Sequence, residues 1–332
     1  IYRGFIMIDI NIIESSCYRI HQYIRPTRLE KSIHLSAKNT KVYMKMENEQ
    51  PEVKAFKVRG VLSKLTSLSA AELQKSKLAA ISSGNQGVAL AYCANLLHLD
   101  APVIYVPTTT PSPKLEKMRH FGAKVVPLGN LYDETHVMAE RIIEEEGSIY
   151  VDSREDEIGA AGQGSIAAEV REQLPEVENI IVPMGSGGLA IAVASYFKQR
   201  DPSVKVYAVE ASNSPSLVEF LKANRWQKTF DVLTDGEPLL KSLVGGCAKL
   251  AFDHADVLED ILLVDDDEAA RATAEIVKYE KAVVEPDSAV VYAAFQKYRH
   301  LFEGTNTAMV FTGGNVDNAV FGSIMQKYYD QV

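Results

Sequence analysis

Lys57 is the residue in this sequence whose type and setting most directly suggest chemistry. It stands in the segment AFKVRG, directly after Phe56 and just before a predicted helix. A partly buried lysine has a lowered pKa, and its neutral amine can form an imine with an aldehyde cofactor. Most lysines are instead solvated, and Lys54 is a competing amine nearby, so Lys57 alone decides nothing.

Three further segments follow predicted strands and are rich in small residues. SSGNQG (82–87) could present helix N–H groups to a carboxylate, although a plain turn capped by Ser83 or Asn85 uses the same residues. GSGGL (185–189) has three glycines in four positions, which favours a phosphate-binding turn over an ordinary one. It lacks the spacing of a dinucleotide site and of a P-loop. TGGN (312–315) places a hydroxyl and two glycines where a flat ring could approach closely.

Alternating strands and helices must position these segments. The predicted strands are short apolar runs at 78–82, 102–106, 124–127, 148–151, 179–183, 204–210 and 307–311. The predicted helices are at 86–97, 112–121, 132–146, 165–174, 188–199, 267–279 and 288–302. Apolar strands that alternate with helices indicate parallel sheets covered on both faces. The sequence therefore predicts an α/β fold with two sheets and a ligand between them, at the carboxyl ends of strands.

Composition and charge exclude several kinds of partner. The chain has 332 residues, which predicts one large or two unequal domains, and its net charge is −9. Because nucleic acid and anionic membranes bind basic surfaces, neither is an expected partner. No apolar run reaches the ~18 residues of a membrane-spanning helix. Cys17, Cys93 and Cys247 form no CxxC pair, so the sequence predicts a protein of the reducing cytoplasm.

The order of these segments resembles the fold-type II pyridoxal-phosphate (PLP) enzymes, most closely the serine/threonine dehydratase and serine racemase branch. The matching segments are FKVRG (56–60), SSGNQG (82–87), AGQGS (161–165), GSGGL (185–189), AVEASN (208–213) and TGGNVD (312–317). The resemblance implies a tryptophan synthase β-like α/β fold with two domains, each with a mostly parallel open sheet covered by helices. It implies a large cofactor-binding domain at 7–67 and 150–332, and a small substrate-loop domain at 68–149.

The resemblance also implies a role for each matching residue. Lys57 would hold PLP as a Schiff base and then remove the Cα proton of the substrate. Thr312 would face the pyridine nitrogen, where a neutral hydroxyl makes a weaker electron sink and favours loss of a β-leaving group. The other implied cofactor contacts are Phe56, Asn85 at the 3-hydroxyl, and Gly185, Ser186, Gly187, Gly188 and Leu189 at the phosphate. The implied substrate contacts are Ser82, Ser83, Asn85 and Gln86.

By this resemblance, the expected activity is a PLP-dependent ammonia-lyase, or dehydratase, that converts L-serine or L-threonine to a 2-oxo acid and ammonia. The alternative is an amino-acid racemase, because Ser83 matches the serine that serves with the lysine on opposite faces of the substrate in serine racemases. A non-catalytic ligand-binding protein of the same fold is a third alternative, which Lys57 argues against. A homodimer is the expected assembly.

Two departures from the family pattern affect the substrate rather than the cofactor. Gln86 stands where relatives usually carry a histidine, and Lys54-Ala55 replaces a glycine-serine pair. Both changes leave the expected reaction class unaltered and leave the identity of the amino acid open.

Two further positions are candidate ligand sites of their own. Glu210 could bind a divalent cation, but Ser216 stands near the place of a second acid in relatives, and one carboxylate is a weak site for a hard cation. Arg154 could accept a second carboxylate of a substrate such as 3-hydroxyaspartate. It could equally form a surface pair with Glu155 or Asp156.

Overall fold

Two β-sheets and the helices around them form the part of the chain that the structure, a computed structural model, describes: residues 7–110, 112–152, 154–233 and 237–332. The strands in these ranges are β1 (Leu29–Ser32), β2 (Lys41–Met46), β3 (Leu78–Ile81), β4 (Val103–Val106), β5 (Lys124–Pro127), β6 (Ile149–Tyr150), β7 (Asn179–Pro183), β8 (Lys205–Ala211), β9 (Asp260–Val264) and β10 (Asn306–Phe311). The α-helices in these ranges are α1 (Ile10–Ile20), α2 (Lys57–Ser67), α3 (Ala70–Lys75), α4 (Asn85–Leu96), α5 (Ser112–His120), α6 (Tyr132–Glu145), α7 (Glu157–Gln163), α8 (Ser165–Gln173), α9 (Gly188–Arg200), α10 (Ser216–Ala223), α11 (Lys249–Asp253), α12 (Asp266–Glu275), α13 (Pro286–Lys297) and α14 (Asn318–Tyr328).

The larger sheet has six strands in the order β1-β2-β10-β7-β8-β9. The pair β1 and β2 is antiparallel, and the other neighbouring pairs are parallel. Strand β7 is buried on both faces, because Ile180 and Val182 pack in the core that contains α9, whereas Ile181 packs in the core that contains α13. This two-sided burial explains why the strand is apolar throughout instead of alternating with polar residues.

The smaller sheet has four parallel strands in the order β5-β4-β3-β6. Its core is shared with α2 and α4, which contribute Val58, Val61 and Leu90. Cys93 of α4 is fully buried in this core. Helix α2 thus shares the core of the smaller sheet through α4 and also packs against α7, although the predicted domains place residues 57–67 with the larger sheet. The two-sheet α/β fold is confirmed, and the exact domain boundaries stay a prediction.

The antiparallel edge of the larger sheet is a feature that the sequence does not predict. Strand β2 has the sequence KVYMKM, and its Lys45 is fully buried rather than solvated. A lysine in a short apolar run argues against a buried strand, since buried lysines are rare unless they are paired. Within the described residues, no helix is both long enough and apolar enough to cross a lipid bilayer.

Parallel strands bring the predicted segments to one region. Strand β7 ends at Pro183, just before GSGGL, and β10 ends at Phe311, just before TGGN. Because β7 and β10 are parallel neighbours, the two segments emerge side by side at the carboxyl edge of the larger sheet. The segment SSGNQG follows β3 in the smaller sheet, so it too leaves a carboxyl end.

Candidate active site

Lys57 is fixed against the TGGN segment by backbone contacts. The N–H of Phe56 donates to the carbonyl of Thr312 at 2.9 Å, and Ala55 forms an isolated antiparallel bridge with Gly313. Helix α2 begins at Lys57 itself, directly after this bridge. The structure therefore brings together the lysine and the hydroxyl-glycine-glycine segment, which are 255 positions apart in the sequence.

The charge on Lys57 is only weakly supported by the protein around it. The pKa of its ammonium group is lowered to about 8, mainly by burial. Asp152 opposes this lowering, and Arg154 adds to it. Among the described residues no carboxylate forms an ion pair with it, and its Nζ lies 5.0 Å from the centre of the Phe56 ring. A neutral amine is therefore accessible near neutral pH, as imine chemistry requires.

Asn85 is held by a network of polar side chains rather than standing alone. Its Nδ2 donates to Oε1 of Glu285 at 2.9 Å, and its Oδ1 accepts from Nδ2 of Asn315 at 2.8 Å. The same Glu285 carboxylate accepts the backbone N–H of Asn315 at 2.9 Å. A Cβ atom at Gly313 would lie 2.6 Å from Oε1 of Glu285, which explains why a glycine is needed there. Glu285 cannot be predicted as a site residue from motif spacing, because only the fold brings it beside Asn85.

The segment at 82–87 forms the turn that leads into α4. Gly84 precedes the helix, and its N–H donates to Oγ of Ser82 at 3.1 Å. Ser83 is partly exposed, and its hydroxyl has no hydrogen-bond partner among the described residues. Gln86 is buried, and its Nε2 donates to the carbonyl of Val151 at 3.3 Å. The structure thus directs Gln86 toward the protein, and its substrate role stays a prediction.

The glycine segment 185–189, which we call the glycine cup, forms the N-terminal turn of α9. Gly187 has φ +98° and directly precedes the helix, a conformation that side-chain-bearing residues rarely adopt. A Cβ atom at Gly185 would lie 2.3 Å from the carbonyl oxygen of Ser242, and one at Gly187 would lie 2.4 Å from Cβ of Ala251. These glycines therefore serve close packing as well as leaving N–H groups open to an anion.

Gln163 connects the glycine cup with the helix that begins at Lys57. It is buried in the AGQGS segment, and its amide lies between the backbones of Gly60 and Gly188. A Cβ atom at Gly60 would lie 3.0 Å from its Nε2, and one at Gly188 would lie 3.6 Å from its Oε1. AGQGS is one of the segments that match the family, but the resemblance implies no role for it. In the structure, Gln163 of this segment packs between α2 and the glycine cup.

A loop at 242–248 flanks the glycine cup, and the sequence does not predict that it lies there. The N–H of Ala248 donates to the carbonyl of Ser186 at 2.9 Å. Nη2 of Arg154 donates to the carbonyl of Gly246 at 2.8 Å. Gly245 has φ +96°, so the Gly245-Gly246 pair is the one signal that could reveal a tight turn here.

Glu210 stabilises the start of a helix in this structure. Its carboxylate accepts the N–H groups of Leu217 and Val218 at 2.9 and 3.2 Å, and the hydroxyl of Ser216 at 3.2 Å. Burial raises the pKa of Glu210 to about 7. Across the described ranges, no three His, Cys, Asp or Glu side chains cluster as a metal site would require. A cation at Glu210 stays an untested prediction.

A buried ion cluster, formed by Lys45, Glu47, Arg59 and Glu169, lies under the first turn of α2. The guanidinium of Arg59 donates to Glu47 at 2.8 Å and to Glu169 at 2.6 Å. Nζ of Lys45 donates to Glu169 at 2.5 Å. Burial acts to lower the pKa of Arg59, but the two carboxylates outweigh it and raise that pKa above its usual value. All four side chains are at least 99% buried, so this cluster anchors the helix that carries Lys57.

Comparison with known proteins agrees with this geometry. The protein of Geobacter sulfurreducens named L-threonine ammonia-lyase is 32% identical over 324 residues, which are 97% of this chain and 79% of that protein. The catabolic L-threonine dehydratase TdcB of Staphylococcus aureus is 30% identical over 320 residues, which are 94% of this chain and 90% of that protein. The structure of maize serine racemase matches with a TM-score of 0.86 at 26% identity, over 97% of this chain and 98% of that one.

The family assignment rests on a match to a sequence profile over most of the chain. The sequence profile described as pyridoxal-phosphate dependent enzyme matches residues 20–313, which include Lys57, the glycine cup and Thr312. The resemblance drawn from the order of the segments is thereby confirmed. This chain belongs to the pyridoxal-phosphate dependent enzyme family.

Proposed function

We propose that this chain is an ammonia-lyase that converts a β-hydroxy amino acid such as L-serine or L-threonine to a 2-oxo acid and ammonia. The observation that carries the proposal is the partly buried Lys57, whose pKa is lowered to about 8, in a chain 32% identical to an L-threonine ammonia-lyase. The likeness to both threonine enzymes extends over more than nine tenths of the chain, which supports a common reaction class.

The residues around Lys57 fit PLP by their own chemistry. The glycine cup offers N–H groups at a helix N-terminus for the phosphate, and Asn85 offers an amide for the 3-hydroxyl. The Thr312 side chain is 9% exposed, and its hydroxyl has no partner among the described residues, so it is available to the ring nitrogen. When bound, PLP supplies an electron-withdrawing ring that stabilises negative charge developing at Cα.

Protein side chains would divide the remaining work of the elimination. The α-carboxylate of the substrate would lie against the turn at 82–85, where the N-terminus of α4 favours an anion. Lys57 would take the proton from Cα, since its lowered pKa leaves a neutral base available near neutral pH. Thr312 offers a neutral hydroxyl to the ring nitrogen of PLP, and a hydroxyl cannot keep that nitrogen protonated as a carboxylate would. The ring would then be a weaker electron sink, which favours loss of the β-hydroxyl.

The proposal is tested by incubating the PLP-loaded protein with L- and D-forms of serine and threonine. We expect pyruvate from L-serine, 2-oxobutanoate from L-threonine, and one ammonia for each oxo acid formed. Both the oxo acid and the chirality of the remaining amino acid are measured. Protein that binds PLP but forms no oxo acid from any of these substrates would rule the ammonia-lyase out.

A second candidate function is amino-acid racemisation. Ser83 supports it, because its hydroxyl is partly exposed and has no partner among the described residues beside the substrate turn. The similarity to maize serine racemase also supports it. A serine hydroxyl is a poor acid without help, so we expect racemisation to be no faster than elimination.

The variant Ser83→Ala separates these two activities. In deuterated water, elimination of L-serine should persist in this variant, whereas formation of deuterated D-serine and turnover of D-serine should collapse. D-serine that forms at the original rate without the Ser83 hydroxyl would exclude a two-face role. A wild-type protein that makes D-serine much faster than pyruvate would make racemisation the main function.

We also propose a cytoplasmic homodimer that consists of a large domain (7–67 and 150–332) and a small one (68–149). The three cysteines are free thiols in the structure, which fits a reducing compartment. Strands β3, β4 and β5 of the smaller sheet lie within 68–149, and β6 (Ile149–Tyr150) lies at its boundary, which supports a division close to this one. Sedimentation equilibrium would show a single species of twice the chain mass if the dimer is right.

A further inference from the structure

We propose that Arg154 binds a second acidic group of the substrate, which makes diacid β-hydroxy amino acids such as 3-hydroxyaspartate the preferred substrate class. This inference rests on the ammonia-lyase function proposed above. It is carried by the place of Arg154 in the fold, by the pairing of the acids around it, and by the anion positions already occupied in the site.

The backbone and the side chain of Arg154 are both fixed. Its N–H donates to the carboxylate of Asp152 at 2.9 Å, in the turn that follows β6. Its Nη2 donates to the carbonyl of Gly246 at 2.8 Å. The loop of Gly246 is tied in turn to the glycine cup by the bond from Ala248 to Ser186. The guanidinium is therefore held between the backbone of Arg154 itself and the loop that flanks the glycine cup.

The acids next to Arg154 are bound to other groups. Glu155 accepts the N–H groups of Lys249 and Leu250 at 2.7 and 3.1 Å. Asp156 caps α7 and pairs with Lys64 at 2.8 Å. No carboxylate in the described part of the chain forms a salt bridge with Arg154. The surface pair with Glu155 or Asp156 that the sequence leaves open is therefore not formed.

Arg154 also acts electrostatically on the candidate lysine. Its positive charge adds to the effect of burial in lowering the pKa of Lys57, whereas the carboxylate of Asp152 opposes that lowering. A fixed cation beside a reaction centre is stabilised by an anion brought with the ligand.

A bound diacid substrate would bring the anionic groups in the site to three: the PLP phosphate, the α-carboxylate and the β-carboxylate. Two of them have places away from Arg154. The turn before α4 suits the α-carboxylate, and the glycine cup suits the phosphate. An anion at Arg154 is thus a third one, which serine and threonine lack and a β-carboxylate supplies. The planar guanidinium retains N–H groups beyond the one bonded to Gly246, and these can bind both oxygens of a carboxylate.

The decisive experiment compares Arg154→Gln with the wild-type holoenzyme on L-serine, L-threonine and the L-isomers of 3-hydroxyaspartate. We expect the wild type to favour the diacid. The variant should lose about 100-fold in kcat/KM on the diacid, from the loss of a charge-assisted pair, and at most about threefold on serine. L-Aspartate, which lacks the β-hydroxyl, should inhibit the wild type competitively, with an inhibition constant about 100-fold higher in the variant.

A matched control and a cofactor titration complete the test. Arg171→Gln removes an exposed arginine of α8 and should change none of these constants. At about pH 10, where Lys57 is largely neutral, PLP affinity should be equal in wild type and Arg154→Gln. A PLP affinity that is weaker in the variant at that pH would show that Arg154 serves the phosphate and would overturn the inference. Equal losses on serine and the diacid would overturn it as well.

The failure of this inference is distinguishable from that of the proposed function. Oxo acid formed from serine and threonine but not from 3-hydroxyaspartate would reject the diacid preference alone. If none of the substrates yields oxo acid, the ammonia-lyase itself is wrong.

Discussion

Lys57 and Arg59 stand in the same turn of α2, but their surroundings act on charge in opposite ways. Arg59 lies in the buried ion cluster, where Glu47 and Glu169 accept its hydrogen bonds and hold its pKa above the usual value. Lys57 points into the candidate site, where burial lowers its pKa to about 8. Burial with partners fixes a charge, and burial without them makes the charge easy to lose.

This difference shows how one helix can both anchor and expose a reactive group. The ion cluster ties β2, α2 and α8 together through fully buried side chains. The first residue of the same helix is then placed beside the TGGN segment by the backbone contacts of Ala55 and Phe56. Positioning and reactivity are therefore assigned to neighbouring residues, and substitutions at the two should have separable effects.

The largest expected effect is the loss of activity in Lys57→Ala. Because the variant lacks both the attachment amine and the proposed base, oxo-acid formation should fall by about 10⁴-fold. The matched control is Lys54→Asn, since Lys54 has φ +56° and asparagine tolerates that conformation. Initial rates at saturating PLP measure both. A Lys54→Asn variant as inactive as Lys57→Ala would remove the distinction between the two lysines.

A large loss of stability is expected at the other residue of the pair. Arg59→Met leaves two buried carboxylates short of a partner, which should lower the free energy of unfolding by about 3–5 kcal/mol. Lys57→Met removes a charge without an ion-pair partner among the described residues, and should change stability by less than about 1 kcal/mol. Urea unfolding of the cofactor-free proteins makes the comparison. Equal losses in the two variants would contradict the opposed roles.

Gly187→Ala should affect both the packing and the cofactor. Its φ of +98° costs about 1–2 kcal/mol for a residue with a Cβ, and the new atom would meet Ala251 at 2.4 Å. We expect PLP affinity to fall about tenfold as the N–H groups of the cup shift. Gly304→Ala is the control, because it has φ +76° and open space around it. Equal PLP affinity in Gly187→Ala and Gly304→Ala would show that the glycine cup does not bind the phosphate.

The smallest effect concerns pH. The rate at which cofactor-free protein captures PLP should rise about tenfold per pH unit below pH 8 and level off above it, because neutral Lys57 increases as pH rises through its pKa of about 8. Arg154→Gln removes a nearby positive charge, so the midpoint should move to higher pH. Stopped-flow absorbance follows the capture. A midpoint near pH 10.5, the ordinary lysine value, would show that burial does not act as described.

Much of the site is predictable from the sequence, because its backbone segments directly follow strands. The glycine cup, SSGNQG and TGGN each come after a short apolar run. The first and the last leave neighbouring parallel strands of the larger sheet, and SSGNQG leaves a strand of the smaller sheet. Lys57 carries a local signal through its aromatic neighbour and the order of the segments. The α/β fold follows from the same alternation, because continuous apolar strands need helices on both faces.

The remaining features depend on tertiary contacts that leave little local trace. Glu285 contacts Asn85 across 200 positions of sequence. Charged residues such as Lys45 and Arg59 are expected in solvent from their type, but the fold buries them together. The loop at 242–248 has a glycine pair but no periodic pattern of apolar residues that would predict a helix or a strand. The pairing of Glu155 and Asp156 with helix N-termini, which leaves Arg154 without a carboxylate among the described residues, is likewise invisible in the sequence.

The central claim is that Lys57, and no other lysine, carries the cofactor. The most direct measurement is reduction of the PLP-loaded protein with borohydride, followed by peptide mapping of the phosphopyridoxyl label. We expect a yellow protein that loses its colour on reduction, with the label on Lys57. A label on Lys54, or no label in protein that has bound PLP, would contradict it.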